Sequence, residues 1–404
     1  MSTELLKNTQ GIRGFQHQNF EFSENFLIWR IKRTEIRCPQ CGSTDVSADF
    51  LRTRRVQALP CGNRQTYLEF AVHRVYCPHC RDRLVEKFHF LESPKSRITK
   101  ALSKSIIADR AEMSIQAVAA KYRIRWDLVK DIEKEYLEKK YKKIQTENVE
   151  GVGIDEIHTG TNRDGTQRYL TIVRDLDTGN VVHIGDGKGV SALNGALKKL
   201  KKSKLKVVTM DMANAYSSWI QKYFPKVRIV FDHFHVIKLM NDKLDKFRRR
   251  FVSQLDESYR SQFKRLRWLF LKNHEDIDFD GKMVLKNIRE QFKELSDCYL
   301  LKESLRSIYA TAKNALDARA AFRRWATMAE ETGITELRSM AATIREKLNG
   351  IITFWTYRHL SNASTEGFNN KIRWLMRKAY GFRDYVYLKL KIFQLPSLRT
   401  QKEL

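Results

Sequence analysis

Two periodicities divide this chain. Between residues 145 and 236 the apolar positions fall in short β-branched runs, whereas from 226 to 395 they recur at helical spacing, with no proline in 170 residues. Residues 151–157, 168–175 and 181–186 read as three strands, the last two split by the turn sequence DLDTGN. A helical stretch over 190–200 leads to a fourth strand at 206–210, and another near 214–224 leads to a fifth at 228–231. Residues 239–357 read as a long helical region dense in Lys, Arg, Trp and Phe, including FRRRF and FKRLRWLF. That density fits a helical bundle with solvated charged faces and equally a surface that meets DNA. Upstream, 96–141 is helical again. There a short helix over 114–122 turns Val118 and Ala119 inward, a tight turn follows at Arg123 and Ile124, and a second helix starts near Trp126. This is either a helix-turn-helix or a plain structural hairpin of helices. In the first case Arg123, Arg125, Asp127 and Lys130 lie at or near the amino-terminal end of the helix that meets base edges.

Charge sharpens the picture. The chain carries 75 Lys and Arg against 47 Asp and Glu, a net charge of +28, and such self-repulsion usually answers a polyanion. A hydrophobic content of 42% is enough for real cores, so this is no basic tail, and 404 residues suggest two to four domains. The amino terminus MSTELLKNTQGIRGF shows no secretory pattern, and no long apolar run suggests a membrane span, so a reducing cytoplasm is expected.

In that compartment paired cysteines point to metal. Cys38 and Cys41 form CPQC, and Cys77 and Cys80 form CPHC, two knuckles that can aim four thiolates at one structural Zn²⁺. Thirty-five residues lie between the pairs, a span expected to fold as small strands or a loop. Gly42 supplies the permissive backbone that a knuckle asks for. Cys61, His73 and His79 are rival ligands. His79 should point away, and Cys61 and Cys298 read as packing residues.

Three carboxylates stand out. Asp155 lies in GVGIDEI, Asp211 ends KVVTMD, and Glu366 sits in NASTEGFNNK. The two Asp close apolar runs, where a strand would present a carboxylate at the edge of a sheet. Three strands followed by two strand–helix repeats is the order of an RNase H-like sheet, in which the first and fourth strands are neighbours, so that Asp155 and Asp211 would meet. On the last helix Glu366, Asn370, Arg373 and Arg377 share one face and Phe368, Ile372, Leu375 and Ala379 another, with Gly381 as a stop. The commoner roles of such residues are turn and helix caps for the Asp and a dipole-favoured surface position for the Glu. Their joint placement is what suggests a site for hard divalent cations.

With the knuckles, the helix pair and these three acids in order, the chain resembles bacterial insertion-sequence DDE transposases of the ISL-three group. The GIDE run, the MD after the fourth strand, DHFHV and STEGFNNKI carry the resemblance over nearly the whole length. It implies a multidomain α/β protein in which an amino-terminal zinc ribbon and helix-turn-helix precede an RNase H-like α/β catalytic domain interrupted by a large helical insertion. The corresponding divisions are 1–92 for the ribbon, 93–145 for the helix-turn-helix, 146–238 for the first part of the core, 239–357 for the insertion, and 358–404 for the closing helices with Glu366. Asp155, Asp211 and Glu366 match the metal-binding triad, and Asp232 with His235 match an Asp-x-x-His element that follows the second Asp.

By the same resemblance, two Mg²⁺ (or Mn²⁺) ions roughly 3.5–4 Å apart serve DNA cleavage and joining of 3′-hydroxyls to a target. Asp155 would bridge both, with Asp211 and Glu366 each favouring one. Double-stranded DNA, as element ends and target, is the expected partner. It would be met by Arg123, Arg125, Trp126 and Lys130 in the first part and by Asn370, Lys371, Arg373 and Arg377 in the last. Assembly as a homodimer or larger on DNA, on the bacterial nucleoid, is expected as well. A metal-dependent RNase H-like nuclease would keep the triad without strand transfer. A zinc-ribbon DNA-binding regulator would need only the first third of the chain.

Overall fold

In the computed structural model the described residues are 2–396, apart from 163, 258–259, 261–262, 264–265 and 358–362, and without the side chains of 2, 289 and 363–366. They form two compact units, residues 1–142 and 143–404.

In the first unit helix α1 (Ser2–Gln10) leads into strands β1 (Phe15–Phe22), β2 (Phe26–Arg33), β3 (Ser47–Cys61), β4 (Arg64–Cys77) and β5 (Asp82–Val85). The sheet order is β1-β2-β4-β3, with β5 added to β4. The segment between the cysteine knuckles, expected as small strands or a loop, is instead one long hairpin. β3 and β4 pair antiparallel along most of their length and turn at Gly62, whose φ is 59°. Its length follows from a side that must be covered: Val56, Ala58, Leu68, Phe70 and Val72 are buried with Phe15, Trp29, Phe88 and Phe90 in one aromatic core. Cys61, expected as a packing residue, is exposed because it stands at the hairpin tip.

Helices α2 (Lys100–Asp109), α3 (Ile115–Tyr122) and α4 (Trp126–Lys140) follow. Ser114 caps α3 by accepting from the Ala117 N–H at 3.1 Å. Val118, Ala119 and Tyr122 pack against Leu102, Ile106 and Val129. Arg123 ends α3 in the left-handed region, φ 49°, at a cost of about 1–2 kcal/mol that glycine would escape. Gln57 of β3 donates to the Tyr122 carbonyl at 2.7 Å, fixing this helix pair on the sheet.

The second unit is built on strands β6 (Gly151–Thr161), β7 (Gln167–Asp175), β8 (Val181–Asp186), β9 (Val207–Met210) and β10 (Arg228–Phe231), in the order β10-β9-β6-β7-β8. β6, β7 and β8 are antiparallel neighbours; β6, β9 and β10 run parallel. Helices α5 (Asn194–Leu200) and α6 (Asn214–Tyr223) make the crossovers. All four residues of β9 are buried, as a central parallel strand requires.

After β10 come α7 (His233–Ser253), α8 (Arg267–Leu271), α9 (Phe279–Gln291), α10 (Lys293–Thr311), α11 (Ala315–Glu331) and α12 (Thr335–Thr356). Their core is continuous with one face of the sheet: Val152, Ile154, Val208 and Met210 belong to the same cluster as Met240, Leu305, Trp325 and Ile344. Part of the basic run FRRRF lies inside this core, since Arg248 is buried and bonds to Asp245 at 2.7 Å. The opposite face is covered by α13 (Ala363–Lys378) and α14 (Tyr385–Gln394), where Phe368, Ile372, Leu388 and Ile392 meet Ile157, Leu170 and Ile172. Ala379, expected on that apolar face, is exposed because α13 has already ended at Lys378. The left-handed residue of the stop is Tyr380, φ 51°, ahead of Gly381, φ 93°. Among the described residues no helix is long and apolar enough to cross a membrane.

Candidate active site and zinc centre

Strand register sets the acidic site. β6 and β9 pair with Gly153 opposite Thr209, and β9 and β10 with Met210 opposite Phe231. Asp155, Asp211 and Asp232 stand one or two residues past these last pairs, at the carboxyl ends of the paired stretches of three parallel strands, and Asp211 is near enough to raise the pKa of Asp155. Asp155 does not close its strand as the apolar run suggests. β6 continues to Thr161 on β7 alone, and because its pairing with β9 stops at Gly153 the flank beside Asp155 is left open.

Each carboxylate is oriented. Asp155 Oδ1 accepts from the Glu156 backbone N–H at 2.8 Å, and Oδ2 accepts from Asn369 Nδ2 at 2.6 Å. Burial raises the Asp155 pKa above the usual carboxylate range, with Asp211 adding to the rise and the Glu156 N–H, His235 and Asn369 opposing it. Asp211 Oδ1 accepts from the Ala213 N–H at 3.1 Å just before α6 begins. Asp232 caps α7 by accepting from the Phe234 N–H at 3.2 Å, and His233 and His235 lie 3.3 and 3.9 Å from its two oxygens. Burial alone would raise the Asp232 pKa, but His233 and the Phe234 N–H hold it below its ordinary value. Two adjacent carboxylates, one of them pushed toward protonation by burial and by its neighbour, form a site that a divalent cation would relieve. The side chain of Glu366 lies outside the described residues, although its helix α13 is present.

Asn369, Glu156 and Tyr216 were not singled out from sequence. Asn369 is 4% exposed and fastens α13 to Asp155, while Phe368 of the same turn lies against the Arg174 guanidinium, 4.0 Å from its ring centre. Glu156 points to the other face of β6, where it accepts from Tyr216 of α6. The Tyr216 hydroxyl also accepts from the Gly189 N–H at 2.9 Å, and burial together with Glu156 pushes its pKa up to about 12. The first turn of the helix that follows Asp211 is thereby tied to the strand that carries Asp155. Farther along α13, Asn370, Arg373 and Arg377 are exposed, Lys371 is half-buried, and Arg373 Nη1 donates to Asn370 Oδ1 at 2.7 Å.

In the first unit the four expected cysteines converge. Sγ of Cys38 lies 3.8 Å from that of Cys80, Sγ of Cys41 lies 3.6 Å from that of Cys77, and all four fall within 4.8 Å of one another. Sulfurs at about 2.3 Å from a tetrahedral zinc stand roughly 3.8 Å apart, so the set fits that ion. Backbone N–H groups of Cys41 and Gln40 lower the Cys38 pKa to about 6, while the Cys41 thiol and burial raise that of Cys80 to about 12, so within the set Cys38 ionises first. Gly42 (φ 79°) and Arg81 (φ 51°) occupy the same left-handed position just past each knuckle. His79 is exposed, and His73 is engaged with Glu86 at 2.8 Å, so neither competes. At the start of α4, Arg125 is 81% exposed and paired with Asp127, Trp126 is 60% exposed, and Lys130 is half-buried.

The second unit thus carries an acidic strand edge and the first a four-cysteine cluster that fits zinc, and comparison with known families gives this combination a class. Residues 152–392, more than half of the chain, match the family model of ISL3 transposases, and residues 34–80 match the zinc finger of the transposases IS204/IS1001/IS1096/IS1165. The chain belongs to the ISL3 group of insertion-sequence transposases. It is similar to the transposase for insertion sequence element IS1001 of Bordetella parapertussis, 29% identical over 406 residues, covering 97% of this chain and 98% of that protein. It is also similar to the transposase for insertion sequence element IS1557 of Mycobacterium tuberculosis, 27% identical over 384 residues, covering 86% and 83%.

Proposed function

We propose that this transposase cleaves the ends of an insertion sequence and joins the freed 3′-hydroxyls to target DNA at Asp155, Asp211 and Glu366. The observation that carries the reading is the 2.6 Å bond from Asn369 to Asp155. Residues three apart on a helix share a face, and Glu366 stands three positions before Asn369 in α13, which is the ground for taking it as the third carboxylate. The strand order β10-β9-β6-β7-β8 supports an RNase H-like core over 146–238, an insertion over 239–357 and closing helices over 358–404. Two Mg²⁺ or Mn²⁺ ions held by these oxygens would supply Lewis-acid stabilisation of the phosphate and a more acidic attacking hydroxyl. The protein's own part is positional. Asn369 and the Glu156 N–H orient Asp155, the Ala213 N–H orients Asp211, and Asp232 with His235 steadies the start of α7 beside them.

The first unit, with a zinc ribbon over 1–92 and a helix-turn-helix over 93–145, is assigned recognition of element ends. Arg125 and Trp126 open α4, Lys130 follows a turn later and Arg123 ends α3 just before, the region where a helix entering the major groove meets base edges. The Arg125–Asp127 pair supports this by holding the guanidinium fork in place before DNA arrives. Asn370, Lys371, Arg373 and Arg377 are assigned to phosphates.

Asp155→Ala, Asp211→Ala and Glu366→Ala should each abolish cleavage and joining of labelled end DNA while gel-shift affinity persists. Near-normal cleavage by any one of them removes that residue from the site. Cleavage without joining would favour a nuclease of the same fold instead.

A further inference from the structure

We propose that the hollow between the end of β6 and the last turn of α13 holds one unpaired nucleotide of the substrate DNA, its base stacked on Tyr380 and its phosphate on Arg373 and Arg377. This rests on the DNA-processing reading above. The hollow has a volume of about 420 Å³, and its wall includes His158, Arg373, Arg377, Tyr380, Phe382 and Tyr385 but no carboxylate. Two guanidiniums and several aromatic rings without an acid select an anion that also offers a π face, and a nucleotide is that chemistry.

Three local features are built around this hollow. Tyr380 is fully exposed while sitting at φ 51°. It closes α13 through its own N–H to the Arg377 carbonyl at 3.0 Å and the Gly381 N–H to the Met376 carbonyl at 2.9 Å. Glycine would close the helix there without strain, so the backbone does not call for a tyrosine, and its ring is left free to meet a ligand. β6 is bulged between His158 and Gly160, where Gly160 takes φ 121°, and bulges beside sites re-aim a strand. The far wall is stiff: the Arg168 guanidinium lies 3.8 Å over the Tyr385 ring, and the Tyr385 hydroxyl donates to the Thr159 carbonyl at 3.4 Å.

The position suits a strand being cut. His158 is three residues along β6 from Asp155, about 10 Å. Arg373 is seven residues along α13 from Glu366, again about 10 Å. Both paths correspond to roughly three base steps at about 3.4 Å each. A base inside a duplex has both faces stacked on its neighbours and cannot offer one to Tyr380, so the occupant proposed is an unpaired base.

The test titrates the full chain with a thymidine octamer carrying one central 2-aminopurine, and with the same octamer annealed to its complement. Binding of the single strand should quench 2-aminopurine fluorescence. Tyr380→Ala should remove the quench and weaken single-strand binding about ten-fold, leaving duplex binding within about two-fold. Tyr380→Trp should restore the quench, and Arg377→Ala should lower the salt slope of single-strand binding by about one unit. An intact quench in Tyr380→Ala, or equal losses on single strand and duplex, overturns the proposal. Asp155→Ala separates this proposal from the cleavage reading, because it should leave the quench unchanged. A failed cleavage reading would then show in the cleavage assay with the quench intact.

Discussion

Asn369→Ala is the sharpest perturbation of the acidic site, because it removes one bond and little packing. The side chain is 4% exposed and its amide nitrogen donates to Asp155 Oδ2 at 2.6 Å, while its neighbours Phe368 and Ile372 keep α13 seated on Ile157, Leu170 and Ile172. The helix should therefore stay docked, and the cost should fall on the orientation of Asp155. A hydrogen bond to a charged group contributes about 1.5–3 kcal/mol, and each ~1.4 kcal/mol is a factor of ten in rate, so cleavage should slow by roughly 10- to 150-fold. Single-turnover cleavage of end-labelled DNA at saturating protein isolates that step from binding, which a parallel gel shift should find unchanged. Asn369→Asp should be worse still, since it places a further carboxylate against Asp155. Cleavage by Asn369→Ala within about two-fold of wild type would refute the idea that this bond orients the site.

Three further outcomes are expected. Purified protein should carry one zinc per chain, and a strong chelator should unfold the sheet of residues 1–142 while the core of 143–404 persists, as followed by tryptophan fluorescence and proteolysis; well-folded protein with far less than one zinc would rule the site out. Gly350→Ala should destabilise the second unit by about 1–3 kcal/mol in denaturant, because an added Cβ would lie 2.4 Å from the Phe231 ring, and an unchanged midpoint would contradict that contact. His183 is half-buried beside the Ala192 carbonyl, which it meets at 2.9 Å, and that burial lowers its pKa. The unfolded chain therefore takes up the proton first, and the stabilisation by the neutral ring, complete above about pH 6.5, is lost as pH falls below that value. Asp155 and Glu156, whose pKa values burial raises, work in the opposite sense, so the readout is wild type minus His183→Asn in denaturant titrations from pH 7.5 to about 5. A difference independent of pH would exclude the linkage.

How much of this could be read in the residues depends on whether the cause is local. Alternating and β-branched runs bounded by DLDTGN specified β7 and β8 almost to the residue, and CPQC with CPHC specified the zinc ligands, because turns and knuckles are set by near neighbours. Register is not local. Nothing within GVGIDEI or KVVTMD says that Gly153 meets Thr209, and that pairing is what makes Asp155 and Asp211 neighbours. Glu156 was passed over for a related reason: in a strand it must face away from Asp155, and its partner Tyr216 stands sixty residues on. Asn369 and Asn370 are equally good partners for Glu366 by helical spacing. Only the phase of α13, set by Phe368 and Ile172 through the apolar cluster they share, turns Asn369 inward and leaves Asn370 exposed. The knuckle-to-knuckle span failed for want of a long-range cue, since the aromatic core that stretches β3 and β4 draws on Phe15, Trp29, Phe88 and Phe90.

The helical region between β10 and α13 then acquires a structural reason for its place in the chain. It leaves the sheet at Asp232, which caps α7, and its last helix returns against the same strand, with Gly350 of α12 pressed on the Phe231 ring. Lys347, one turn earlier on α12, donates to Asn214 at the start of the helix after Asp211. One end of this helical region therefore fixes the strand that leads to Asp232, and the other touches the start of the helix after Asp211. α13 fastens Asp155 from the opposite face through Asn369. Three short parallel strands cannot hold adjacent carboxylates against their mutual repulsion by pairing alone. Here the acids are held from both sides of the sheet by helices whose own cores are large, and the proposed metal-dependent chemistry would need that rigidity.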